Sequence, residues 1–164
     1  MFDNLLIKRT NNKFIQIYGS INDVPKKIMF NLKNVFLPFG IEEYKTKYVL
    51  NIELDEQIEN HLEIIKIIKL LESKIPEITN SDFEIKNILK DREKHKILCR
   101  TNIKKTKNVF ITKIIENNKE ISIFDLKKNQ NINLDIEISG IWNFNNKTGL
   151  FINIKKIYLI DKII

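Results

Sequence analysis

The sequence is poor in the residues that build covalent or irregular scaffolds. Its 164 residues include one cysteine, four glycines, three prolines and no alanine. The single Cys99 excludes a disulfide framework and a thiolate-rich zinc site. The low glycine and proline content excludes collagen-like, elastic and linker-rich architectures.

Long apolar runs are also missing. The most apolar stretch, residues 64–71, is interrupted by Lys66 and Lys69, so no segment is expected to span a bilayer. The first residues lack the charged-then-apolar order of a signal peptide. We therefore expect a reducing, intracellular setting.

Catalytic motifs are sparse as well. There are two histidines, His61 and His95, and neither has a second histidine near it. The sequence has no glycine-rich phosphate loop, nucleophile elbow or paired-aspartate metal motif. Cys99 is expected to be a small core residue. The sequence thus predicts no catalytic site, metal site or cofactor, and no enzyme activity.

What is present is a core and a skewed composition. Hydrophobic residues make up 43% of the chain, enough for one domain over residues 1–164, with fraying expected at 1–11 and 161–164. The 33 isoleucines, 25 lysines and 21 asparagines have A/T-rich codons, so they reflect the genome as well as selection. Lysine content alone is therefore weak evidence for a nucleic-acid partner.

The position of the charge is more informative. Residues 84–113 carry ten Lys and Arg against three Asp and Glu, an excess equal to the net charge of +7. Codon bias would spread lysine evenly along the chain. A clustered excess indicates either an electropositive face for a polyanion or a solvated lysine-rich hairpin.

Most of the chain has the two-residue periodicity of strands. Four segments before residue 55 show it, the third being an edge strand or strand end because it contains Pro38: residues 13–18, 27–33, 35–40 and 47–54. Three hairpins are predicted after residue 80, with arms at 83–89 and 96–102, 109–116 and 120–126, and 133–142 and 150–159.

One segment changes to the helical period. Ile58, Leu62, Ile65 and Ile68 follow one another at spacings of four, three and three residues. Asp55 is a candidate cap, and Pro76 is expected to end the helix, which predicts a helix over about 56–75. The residues thus favour a mainly β protein, a small barrel or sandwich with one packed helix.

Three stretches in order resemble a known family. They are Val35–Tyr44 with the strand to Leu54, the helix followed by Lys96–Asn102, and Ile136–Trp142 turning through Asn145–Gly149 into Leu150–Ile154. Over about residues 27–159 the chain resembles the single-stranded DNA-binding proteins of large nucleocytoplasmic DNA viruses, relatives of tailed-phage replication proteins.

The resemblance implies an OB-like antiparallel barrel that coats single strands during replication, recombination or repair. Single-stranded DNA is the expected partner; RNA stays open, and replication proteins are a further class of partner. The phage relatives end in a long acidic tail that recruits such proteins. This sequence ends at Ile160–Ile164, so recruitment through a tail is not expected.

Binding single strands without sequence preference needs cations for phosphates and aromatic faces for bases. The candidate cations are Lys90, Arg92, Lys94, Lys96, Arg100, Lys104 and Lys105. The candidate aromatic residues are Phe39, Tyr44, Trp142 and Phe144. Tyr48 shares a face with Leu50 and Ile52, which favours the core for its ring. The alternative function is an OB-like adaptor that binds protein and has no basic groove.

Overall fold

A computed structural model describes residues 4–9, 11 and 13–160. In this part of the chain there are fifteen strands, the helix α1 (Glu59–Thr79) and a 3₁₀ turn at Ile123–Asp125. The strands are β1 (Asn4–Arg9), β2 (Phe14–Ile21), β3 (Val24–Lys26), β4 (Ile28–Leu37), β5 (Glu42–Tyr44), β6 (Lys47–Asp55), β7 (Glu84–Ile85), β8 (Leu89–Asp91), β9 (Lys96–Ile103), β10 (Lys105–Thr106), β11 (Val109–Phe110), β12 (Lys113–Glu116), β13 (Lys119–Ile121), β14 (Gln130–Phe144) and β15 (Lys147–Leu159).

Five strands close into a barrel. β4 pairs with β6, β6 with β9, β9 with β15, β15 with β14, and β14 returns to β4. All of these pairings are antiparallel except the seam between β9 and β15, where Asn102 lies opposite Asn153. A five-stranded closed barrel is an OB-like architecture, so the predicted mainly β, OB-like fold with one packed helix is confirmed.

The strand alternation sorts side chains between the barrel core and solvent. On β6, Leu50, Ile52 and Leu54 are fully buried, while the residues between them are partly exposed. On β9, Cys99 and Thr101 are buried in the same way, and the Thr101 hydroxyl donates to the Leu50 carbonyl at 2.6 Å. Burial raises the pKa of Cys99 to about 12, so this thiol is a core group, as the sequence suggested.

The helix α1 packs against β4, β6 and β15. Its buried face includes Ile65 and Ile68, as the periodicity predicts, whereas Ile58 and Leu62 of the same predicted row are only partly buried. Its ends differ from the prediction. Ile58 precedes the first helical residue, and the Asp55 carboxylate accepts from the Gln57 amide in the turn before it, so Asp55 is not the cap.

Pro76 does not end the helix, which continues to Thr79. A proline inside a helix removes one main-chain hydrogen bond, and its ring crowds the carbonyl of the preceding turn. Ile75 and Ile78 on either side of it are both buried, so the packing of the last turn offsets that loss. No helix among the described residues is long and apolar enough to cross a membrane.

Several predicted strand boundaries were wrong because local patterns do not show pairing partners. The alternation predicts two strands, over residues 27–33 and 35–40. In the structure β4 is one interior strand, with Asn34 at φ 57° beside a register shift. Pro38 directly follows the last residue of β4, so of the two predicted alternatives it marks a strand end and not an edge. Residues 4–9, within the segment expected to fray, form β1 and pair with β2; residues 161–164 lie outside the described residues.

The predicted hairpins also changed. Of the segment 83–89, β7 pairs in parallel with β15, and only β8 pairs with β9. The segment 109–116 splits, because β11 turns back on β10 while β12 pairs with β13 and β15. The hairpin of β14 and β15 is as predicted, and its two-residue turn is Asn145–Asn146, both with positive φ.

Candidate nucleic-acid interface

The outward side of β6 and β9 gathers polar and charged side chains. Directly opposite residues on paired strands share a face, and the outward pairs here are Asn51 with Arg100, Glu53 with Leu98, and Asp55 with Lys96. β8 extends this surface, with Lys90 opposite Leu98. We call it the β6–β9 face, formed by Asn51, Glu53, Asp55, Lys90, Arg92, Lys96, Leu98 and Arg100.

Two cations of the β6–β9 face are held by acidic residues of β6. Arg92 Nη1 lies 3.2 Å from Glu53 Oε2, and Lys96 Nζ lies 2.7 Å from Asp55 Oδ2. The hydrogen bond from Lys96, followed by that from the Gln57 amide, holds the pKa of Asp55 below its usual range. These two cations are therefore partly neutralised and fixed in place.

The other predicted cations point into solvent. Lys90, Lys94, Arg100 and Lys104 are exposed and form no ion pair with any described residue. Lys94 lies in the turn between β8 and β9 with φ 49°, and Lys104 follows β9 directly. Their charge is uncompensated and remains available to a polyanion.

Two of the predicted aromatic residues lie in the connection between β4 and β6. Phe39 is 43% exposed, and the Arg92 guanidinium carbon lies 5.6 Å from its ring centroid. Because Glu53 binds Arg92, the ring, the guanidinium and the carboxylate form one ordered contact on the β6–β9 face. Tyr44, at the end of β5, is 62% exposed and has Lys45 Nζ 5.8 Å from its ring centroid.

The other two lie at the end of the hairpin of β14 and β15, and the structure distinguishes them. Trp142 is partly buried opposite Gly149, where an added Cβ would come within 3.0 Å of the indole nitrogen. The indole therefore packs on the glycine backbone, which has no room for a side chain. Phe144 is 59% exposed.

The structure spreads the predicted residues along the barrel. β9 has eight residues and spans about 25 Å. Tyr44, Lys104 and Lys105 belong to the end where β6 begins and β9 finishes. The parallel pairing of β9 with β15 directs the Trp142 hairpin toward the opposite end, where Lys96 begins β9. Arg92, which contacts both Phe39 and Glu53, lies on the β6–β9 face, so the candidates are spread over several parts of the barrel.

Three further aromatic residues lie in contact with one another, which the sequence did not predict. Tyr48, Phe110 and Phe124 form an edge-to-face cluster, the aromatic triad, with ring centroids 5.1 to 6.1 Å apart. Lys105 Nζ lies 5.3 Å from the Tyr48 centroid and 5.1 Å from that of Phe110. Tyr48 was expected in the core, and it is partly buried at the end of the inward row of β6.

The segments that carry Phe110 and Phe124 contain local turns. Lys107 and Asn108, both at positive φ, turn β10 into β11 and place Phe110 opposite Lys105. The Ser122 hydroxyl accepts from the Phe124 amide and caps the 3₁₀ turn. The sequence predicts long hairpin arms over residues 109–116 and 120–126, and therefore did not indicate these turns.

The buried titratable groups serve the fold. His61 accepts from the Asp55 amide through Nδ1 and donates from Nε2 to the Lys33 carbonyl, linking β6 and β4. Burial is the main cause that lowers the pKa of His61, which keeps the ring neutral. Burial raises the pKa of Glu72, whose carboxylate accepts from the Ile88 amide. Among the described residues, no three His, Cys, Asp or Glu side chains lie close enough to hold a metal ion.

The closed barrel, its parallel seam and its helix define an OB-like fold, which solved structures share. Among them are single-stranded DNA-binding proteins of two bacteriophages. That of bacteriophage Enc34, solved in complex with single-stranded DNA, has a TM-score of 0.62 at 10% identity over 99% of this chain and 98% of its own. The gp2.5 protein of bacteriophage T7 has a TM-score of 0.60 at 7% identity, over 84% and 88% of the two chains.

At these identities the likeness shows the fold. No protein-family model matches the sequence. No curated protein matches it either.

Proposed function

We propose that this protein binds single-stranded DNA without sequence preference during viral-type DNA replication, recombination or repair. The observation that carries the proposal is the β6–β9 face, where Lys90 and Arg100 are exposed and Arg92 contacts the exposed ring of Phe39. The comparisons support the proposal, because bacteriophage proteins with this fold are single-stranded DNA-binding proteins.

The position of the face on the barrel agrees with this role. OB folds bind oligonucleotides on the face of their second and third strands and with the loops joining strands one to two and four to five. In this barrel those strands are β6 and β9. The corresponding connections are residues 38–46, with Phe39 and Tyr44, and the turn after Phe144.

Each group has a defined task in the proposed complex. Lys90, Lys94, Arg100 and Lys104 neutralise phosphates, while Arg92 and Lys96 contribute less because Glu53 and Asp55 already bind them. Lys105 lies beside aromatic rings and serves both base and phosphate. The exposed rings of Phe39, Tyr44 and Phe144 stack on bases, and so does the partly exposed indole of Trp142.

We further propose membership of the single-stranded DNA-binding proteins of large nucleocytoplasmic DNA viruses. The protein would then act as one OB-like domain over residues 1–164, without catalysis, where viral DNA is copied in the host cell. Replication proteins would be its other partners.

The direct test is fluorescence anisotropy with labelled single-stranded DNA, duplex DNA and RNA of matched length. Stacking requires unpaired bases, so we expect single strands to bind about tenfold or more tightly than duplex. The DNA-to-RNA ratio then assigns the natural strand. Equal or tighter duplex binding would indicate a purely electrostatic patch, and binding to none of the three would favour the protein-binding adaptor.

A matched pair of variants checks where binding occurs. Phe144→Ala removes an exposed ring at the hairpin end, and Leu70→Ala removes a comparably exposed side chain from α1. We expect Phe144→Ala to weaken single-strand binding and Leu70→Ala to leave it unchanged. Equal effects of the two variants would contradict the proposed location.

A further inference from the structure

The aromatic triad lies apart from the β6–β9 face but next to it. Tyr48 is on the inward side of β6, at the barrel end where β10 and β11 form a separate two-stranded ribbon. Phe110 comes from that ribbon and Phe124 from the 3₁₀ turn. Three segments distant in sequence thus bring aromatic rings together at one end of the barrel.

Core packing accounts for only part of this cluster. Tyr48 and Phe110 are partly buried against the core, but Phe124 is 66% exposed, so its ring gains little from removal from water. The three rings meet at interplanar angles of 73° to 86°, which fixes their orientation. An ordered and exposed group of rings is a preformed surface for a flat partner.

The charges around the triad indicate the chemistry of that partner. Lys105 contacts two of its rings, and Lys104 and Lys107 lie one and two residues from Lys105 in the chain. The acidic residues nearby in the strands and turns are Glu43, opposite Tyr48, and Asp125, after Phe124. Lysine is depleted in protein–protein interfaces, which argues against a protein partner. Aromatic rings beside cations are what an unpaired nucleobase and its phosphate require.

We propose that the aromatic triad is a second stacking site, which holds an unpaired base of the nucleic acid beyond the end of the β6–β9 face. The inference rests on the proposed function. The strand continues from Arg100 past Tyr44 to the barrel end, where Phe124 presents the stacking ring and Lys105 approaches the adjoining phosphate. The triad thereby lengthens the occupied site.

The test uses two ligands that separate bases from phosphates: oligo-dT, and an abasic oligonucleotide of the same length. Phe124→Ala should weaken oligo-dT binding about 5- to 100-fold and leave abasic binding unchanged. Phe124→Leu, which keeps apolar surface but no π face, should lose nearly as much, and Phe124→Trp should retain affinity. The matched control is Ile111→Ala, another exposed apolar side chain of this region.

Each other result overturns the inference. If Phe124→Ala binds oligo-dT as well as the wild type while Arg100→Ala weakens binding, the second site does not exist and the proposed function stands. Equal losses for oligo-dT and abasic ligand would mean an indirect structural effect. A change of sedimentation coefficient in Phe124→Ala without loss of oligo-dT binding would make the triad a contact between copies. A wild type that binds no single strand would remove both proposals.

Discussion

Three of the four unpaired cations, Lys90, Arg100 and Lys104, allow a quantitative test of how the protein contacts a polyanion. None of them forms an ion pair with a described residue, so replacing them by alanine breaks no ion pair of the fold. Lys105 is left in place because it packs on Tyr48 and Phe110. The triple variant therefore changes the charge of the surface with little effect on its shape.

The magnitude follows from counterion release. Each phosphate contact on a single strand contributes about −0.7 to the slope of log affinity against log salt, so three contacts contribute about −2. Between about 50 and 200 mM salt, the wild type should lose roughly 20-fold more affinity than the triple variant. Removing Arg92 or Lys96 should change the slope less, because each is already bound to a carboxylate.

The assay is a salt titration of oligo-dT binding, followed by fluorescence anisotropy. The control variant replaces Lys66, Lys74 and Lys119, which are exposed elsewhere, and so has the same net charge as the test variant. We expect the control to keep the wild-type slope. Parallel slopes for the wild type and the test variant, or equal changes in both variants, would refute the role of the β6–β9 face.

Three more outcomes are expected. Trp142→Ala should lower the free energy of unfolding by about 2–4 kcal/mol, because the indole packs on Gly149, and should weaken oligo-dT binding by about 1–3 kcal/mol. Unchanged melting and unchanged affinity would contradict the contact with Gly149 and the contact with DNA. In the wild type, quenching of the Trp142 fluorescence by oligo-dT reports the contact with DNA. Ile65→Asp places a carboxylate at a fully buried position of α1, costing at least about 4 kcal/mol, so circular dichroism should show a largely unfolded chain and not an unchanged melting temperature. Cys99 should react with iodoacetamide only after unfolding, because it is buried and its pKa is raised to about 12; rapid labelling of the native protein, seen by mass spectrometry, would place it elsewhere.

The barrel strands could be predicted from the sequence where one face is buried. Leu50, Ile52 and Leu54 alternate with residues that face solvent, which is the pattern of a strand with one buried face. The spacing of the buried Ile65 and Ile68 indicates the helix in the same way. Pairing is different, since it depends on contacts between distant segments. No local pattern indicates that Asn102 meets Asn153 in a parallel seam, or that β7 pairs with β15.

The candidate site was predictable in charge but not in detail. The cations were visible because β8, β9 and β10 follow one another in the chain. The neutralisation of Arg92 was not visible, because Glu53 lies some forty residues earlier and reaches Arg92 only through the pairing of β6 with β9. The aromatic triad was missed for the same reason, since its rings come from three separate segments.

The strand β15 gives the protein a particular order of assembly on the ribosome. β15 pairs with β14, β9, β12 and β7, and it supplies the seam that closes the barrel. Until residues 147–159 are synthesised, the barrel core is incomplete. Until then the apolar sides of β4, β6, β9 and α1, which pack in this core, stay incompletely covered, and non-local pairings of this kind form slowly. A translation stop before Lys147 should consequently yield a fragment that aggregates or is degraded, and not a smaller working barrel.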